Sequence, residues 1–240
     1  MDISLLDSLM LIALGLVAGV INTLAGGGSN LTVPALMVMG MPPDVANATN
    51  RVGVILQAVV GAVGFRKHDK LPTGDFKAII VPLLLGSLVG GAVASYAPQA
   101  LLKFLLLGAM LTVATIVLLR PNIIAPPPGS KPHTLAEKPH ARWWLLLAGF
   151  YGGFVQAGVG FILITAFAGI LRYDLLSSNA LKVLATVFFT GVALLIFIIN
   201  DQVRWLPGLI LALGTMAGAH IGVKMALNIS QQSLKWFLFI

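Results

Sequence analysis

"LAGGGSNLTVPALMVMGMPPDVANATNR", residues 24–51, decides how the rest of the chain is read. Three glycines, Gly26, Gly27 and Gly28, interrupt an apolar, helix-forming run. A few turns later come two amides and a cation, Asn47, Asn50 and Arg51. In water such a break is an ordinary loop. In lipid every freed peptide group needs a partner, so the solvent of this chain must be settled first.

Composition settles it. Of 240 residues, 58% are hydrophobic and only 10% charged, with a mean hydropathy of +0.97. That is too little charge to coat a soluble domain, and apolar runs of bilayer length recur along the chain. The sequence reads as an all-α polytopic membrane protein. The excess of 15 Lys and Arg over 8 acids fits basic loops on one membrane face better than nucleic acid. With no cysteine there is no disulfide framework, thiolate metal site or Cys nucleophile. Nothing in the pattern calls for a metal or a cofactor. "MDISLLDSLM" lacks a basic n-region and a small-residue cleavage site, so its apolar run is expected to be retained.

Apolar segments are expected at 5–24, 31–41, 43–65, 76–97 and 101–119. A proline-rich stretch, "RPNIIAPPPGSKPHTLAEKPHAR", residues 120–142, then reads as a linker. The pattern resumes at 143–157, 161–171, 178–199 and 205–227, with a last segment from Gln231 that ends short of a bilayer core. Two repeats, 1–119 and 143–240, emerge when the chain slides by 132 residues. Gly26 then falls on Gly158, Gly28 on Gly160, Asn47 on Asn179, Asp69 on Asp201, Gly86 on Gly218, Gln99 on Gln231 and Lys103 on Lys235.

Loop charge orients the repeats. "RKHDKLPTGDFK" (66–77) carries Arg66, Lys67, Lys70 and Lys77, whereas its counterpart "NDQVRW" (200–205) carries only Arg204. The linker adds Arg120, Lys131, Lys138 and Arg142. If each broken pair returns to its starting side, every repeat crosses an odd number of times and the copies are inverted. The basic loop and the linker then face the cytoplasm of a multi-pass inner-membrane protein.

The short pieces 31–41 and 161–171 span about half a bilayer at 1.5 Å per residue. Interrupted half-helices at matching places in two repeats point to a transporter's substrate site; a tight glycine turn at the membrane surface is the plainer alternative. Behind the first break Asn47, Asn50, Gln57, Gly61 and Gly64 share one face, with Arg51 beside Asn47; behind the second, Asn179, Lys182, Thr186 and Thr190 do the same. A buried Arg or Lys costs at least about 2.5–3.5 kcal/mol unless something negative compensates. The carboxylates lie at helix starts, in loops or near the N-terminus, so the missing partner could be a carried anion. Snorkelling of Arg51 and Lys182 to headgroups is the alternative.

On Gly26–Gly28, Pro34, Gly40, Ala46, Ala48, Thr49 and Asn50, residues 19–67 resemble the signature half of the sulfite exporter TauE/SafE family of membrane transporters, which includes the 4-toluene sulfonate uptake permease-like proteins. The resemblance implies a transporter of small sulfur-containing or carboxylate anions, with two repeats around a central site. The second half departs from the pattern, with two glycines in "QAGVGFILITAF" and no proline matching Pro34.

Together these readings assign substrate contacts to Gly26, Gly27, Gly28, Ser29, Asn30, Asn47, Asn50, Arg51 and Gln57 in the first half. Gln156, Gly158, Gly160, Asn179 and Lys182 complete the set from the second. His220, alone among the histidines in lying within a span, is a candidate carrier of a coupling proton; Gly214, Gly218 and Gly222 beside it equally suit helix packing. Two rivals remain: a rhomboid-like serine protease using Ser29 and His220, and a scaffolding membrane protein, which would need no paired cations opposite broken helices.

Overall fold

The computed structural model describes residues 3–119 and 130–229. Regular structure among them is helical throughout: α1 Leu5–Leu24, α2 Ser29–Val38, α3 Pro43–Lys67, α4 Phe76–Tyr96, α5 Gln99–Leu119, α6 Ala141–Phe154, α7 Val159–Ile164, α8 Leu175–Ile199 and α9 Trp205–Asn228. Five of these, α1, α3, α4, α8 and α9, are long and apolar enough to cross a membrane. The expected final segment from Gln231, its pairings with Gln99 and Lys103, and the triple proline of the linker lie outside the described residues.

Local chemistry explains most boundaries. Ser4 and Asp7 form a reciprocal capping box that starts α1. Pro43 opens α3 at a position where its missing N–H costs nothing. Asp174 caps α8 by accepting from the Ser177 amide at 2.9 Å, so α8 begins at Leu175, three residues ahead of the expected start. The half-length piece after the second break is α7 prolonged by a π-helical turn, Thr165–Ile170. The sequence carries no periodic signal for that wider turn.

The long helices pack through small residues. Gly15 and Gly19 of α1 press on the backbone of Leu211, Gly214, Thr215 and Gly218 in α9. Gly86 and Gly90 of α4 meet Leu146 and Phe150 of α6, while Gly149 and Gly153 press back on Leu83 and Ser87. Both pairs run parallel, and each joins an early helix to a late one. Between them, α3 and α8 run antiparallel: Gly61 meets Val183, and Gly191 meets Ile55. Such close backbone approach supplies the van der Waals contact that holds helices together where lipid is as apolar as the side chains.

Polar contacts define the two ends. At one, the Leu135 amide donates to Asp75 (2.6 Å), the His133 amide to the Leu171 carbonyl (2.8 Å), and a cleft of about 480 Å³ separates Asp69 and Lys70 from Asp174 and Leu227. Most of the basic residues collect here. At the other end, Gln202 donates to Asp44 (3.2 Å) and to the Ser95 carbonyl (2.9 Å), and the Arg204 amide donates to Thr49 (3.0 Å).

Candidate functional site

The two glycine breaks meet. Gly26 and Gly160 lie so close that a β-carbon on either would overlap the main chain of the other. Gly26 (φ +94°) and Gly158 (φ +78°) adopt the left-handed region, and so does Gln156 (φ +67°), a conformation that glycine tolerates and glutamine does not favour. Gly27 lies against the Phe161 ring and Gly28 against the Ala18 carbonyl. The close approach that glycine permits is therefore made between the breaks themselves. Among the described residues, the amides of Gly27, Gly28, Gly158 and Gly160 find no acceptor.

Each break leaves a helix ending inside the bundle with unpaired carbonyls, the negative end of its dipole. A cation from the opposite half covers each. The two Nη of Arg51 donate to Gly152 O (2.9 Å) and Gly153 O (2.6 Å) at the end of α6, and to Gln156 Oε1 (2.8 Å). The Phe197 ring lies 4.9 Å from its guanidinium carbon. Lys182 Nζ donates to Asn22 O (2.9 Å) and Thr23 O (3.0 Å) at the end of α1, and to Asn179 Oδ1 (2.7 Å). The amides repeat the pattern, Asn47 donating to Phe154 O (2.8 Å) and Asn179 to Leu24 O (3.0 Å).

Both cations are buried, with relative exposures of 0% for Arg51 and 2% for Lys182, so neither snorkels to the bilayer surface. Their negative partners in the structure are helix C-termini, a source of charge invisible to a count of Asp and Glu. That is why the chain supplies a cation a few turns after each break without a nearby carboxylate.

Beside the second break lies a hollow of about 10 Å³, lined by Asn22 of α1 and by Gln57, Gln156, Gly160, Lys182 and Thr186 among others. It has room for about one water. Gln156 Oε1 also accepts from Thr190 at 3.2 Å. Of the residues expected at the site, Gln57, Gln156, Gly160 and Lys182 line this hollow; Gly26 touches Gly160, Arg51 and Asn47 bind the end of α6, Asn179 binds the end of α1, and Gly27, Gly28 and Gly158 lie in the breaks themselves. Asn22 and Thr23, in the last turn of α1, belong with them and escaped the sequence reading. Two polar residues one turn before the glycines, separated from them by Leu24 and Ala25, were the available signal.

Ser29 and Asn50 serve a neighbouring purpose. Asn50 donates to the Ser29 hydroxyl (3.0 Å) and accepts from Thr32 Oγ1, pinning α2 to α3. Asn30 is half-buried at the same helix start, with its Oδ1 unpartnered. His220 stands apart: Gly218 and Gly222 face α1, while His220 is exposed on another side of α9. Buried Ser29 and exposed His220 do not form the arrangement a catalytic dyad needs.

A family model described as Sulfite exporter TauE/SafE matches residues 11–240. A probable membrane transporter protein of Haemophilus influenzae is 27% identical over 231 residues, covering 95% of this chain and 88% of that protein. The probable membrane transporter protein YfcA of Escherichia coli K12 is 27% identical over 96% of this chain and 85% of its own length. A probable membrane transporter protein of Sinorhizobium, ORF9, is 24% identical over 93% and 85%. No solved structure matches the chain significantly.

Proposed function

The chain belongs to the sulfite exporter TauE/SafE family, and from that premise we propose that it carries small oxyanions by alternating access around the meeting point of its two breaks. It is a multi-pass membrane transporter and not an enzyme. The substrates proposed are sulfite, organosulfonates and related carboxylates. One observation carries the reading: Gly26 and Gly160 touch beside a polar hollow lined by the free Gly160 peptide N–H, the side-chain amides of Asn22 and Gln57, and Lys182. Free donors and a cation beside a cavity suit an anion's oxygens.

Inverted repeats with re-entrant half-helices fit the packing. The antiparallel course of α3 and α8, 25 residues each and starting one repeat length apart, supports the inversion. Leu36 and Met41 cluster with Leu11 and Leu211, which supports a return of α2 towards the end where α1 begins. Leu163, Phe167 and Leu171 cluster with Leu135 and Ala141, the equivalent return for the second half. In this proposal the basic end and the 120–142 linker face the cytoplasm, the membrane is the inner cell membrane, and the repeats rock against each other to open the hollow to either side.

Proteoliposomes loaded with sulfite should exchange it for labelled external sulfite. Absence of counterflow for sulfite and for every small sulfonate overturns the proposal. A coupling proton at His220 is tested separately: His220→Ala should abolish pH-driven uptake and spare counterflow, and uptake that survives unchanged removes that role.

A further inference from the structure

We propose that Lys182 sets the charge of the cargo, so that the site between the breaks takes monovalent oxyanions and discriminates against divalent ones. The inference rests on the transporter reading above and adds a selectivity to it.

Arg51 and Lys182 cap opposite helices in matching ways, yet they are not equivalent towards the hollow. Lys182 lines it and Arg51 does not. The repeat offset places Lys182 on Asn50 rather than on Arg51, and a shift of one residue turns a side chain by about 100° around a helix of 3.6 residues per turn. Arg51 is accordingly set behind the wall. Both of its Nη atoms are engaged by the α6 carbonyls and Gln156, and Phe197 covers its face.

The rest of the lining is neutral. Asn22 and Gln57 contribute side-chain amides with no partner among the described residues, and Gly160 contributes an unpaired peptide N–H. No carboxylate lines the hollow. An oxyanion entering it meets one formal positive charge in the lining and several neutral donors, with Arg51 held behind Gln156 and its Nη atoms spent on the α6 carbonyls and that amide. A monoanion leaves the pair neutral. A dianion leaves one surplus negative charge in a water-poor space, next to the carbonyls of Asn22 and Thr23 that already hold Lys182. Uncompensated charge of that kind is what buried sites reject. The hollow must also widen from the volume of one water, so binding donors are recruited during opening rather than waiting preformed.

Methanesulfonate and sulfate are similar in size and differ in charge, which makes them suitable probes. Binding to purified full-length protein, followed by thermal shift at matched ionic strength, should favour methanesulfonate by about tenfold or more. Labelled sulfite counterflow should be inhibited in the same order. Sulfite affinity should fall as pH rises and bisulfite loses its remaining proton, while methanesulfonate affinity stays level over the same range. Lys182→Arg should keep the preference and Lys182→Gln should erase it; the wild-type comparison stands on its own where a variant fails to fold. Sulfate bound as tightly as methanesulfonate overturns the selectivity and leaves the transporter reading intact. Failure of sulfite, methanesulfonate and sulfate alike to bind or exchange overturns that reading instead.

Discussion

Gly26 and Gly160 lie main chain against main chain, and neither position has room for a β-carbon. Gly26→Ala therefore faces both a left-handed backbone and a steric overlap. Gly40 shares the strained backbone (φ +92°) but nothing lies within 4 Å of a β-carbon there. Gly40→Ala should cost about 1–2 kcal/mol from conformation alone. Gly26→Ala should cost more, by the further 1–3 kcal/mol or so of an overpacked contact, and should stop transport. Thermal unfolding in detergent measures both, and equal losses would mean the breaks do not press on each other.

Arg51 holds the end of α6 together. Arg51→Ala strands the carbonyls of Gly152 and Gly153 and opens a gap under Phe197. A loss of about 3 kcal/mol is expected from unsatisfied buried groups, with Arg51→Lys in between, since an ammonium offers three donors without the planar fork. An Arg51→Ala protein with unaltered melting temperature would show that the guanidinium is not a helix cap.

Ser29 is buried and its hydroxyl accepts from Asn50, tying α2 to α3. Ser29→Ala removes the hydroxyl that accepts from Asn50 and should cost about 1 kcal/mol while sulfite counterflow continues. A fluorophosphonate probe should leave the wild-type protein unlabelled. Labelling at Ser29 that disappears in His220→Ala would reverse this expectation.

The absence of cysteine makes topology directly measurable. In intact cells Asp201→Cys should react with an impermeant maleimide, and Lys70→Cys should react only after permeabilisation. Labelling of both from one side would end the inverted arrangement.

Much of the fold was legible because it is written in local composition. Hydropathy placed the described helices within a few residues, and the 132-residue offset recovers the starts of α3 and α8. What stayed hidden depends on partners far away along the chain. Nothing near Arg51 shows that its acceptors are Gly152 and Gly153, and nothing near Lys182 shows that they are Asn22 and Thr23. Burial cost announced that each cation needed compensation; it did not say that a helix end would supply it. Polar residues of the signature split for the same reason. Asn47 reaches α6, while Asn50, one turn on, faces α2, and only the packing of neighbours decides which face looks where.

The crosswise pairing of α1 with α9 and α4 with α6 also constrains biogenesis. As the ribosome emits the chain, α1 enters the bilayer long before α9 exists to receive Gly15 and Gly19. Its terminal carbonyls wait for Lys182, which arrives with α8, one helix before α9. Contacts so remote in synthesis close slowly, so α1 stays without its α9 partner until translation is almost finished, whereas α4 finds α6 much sooner.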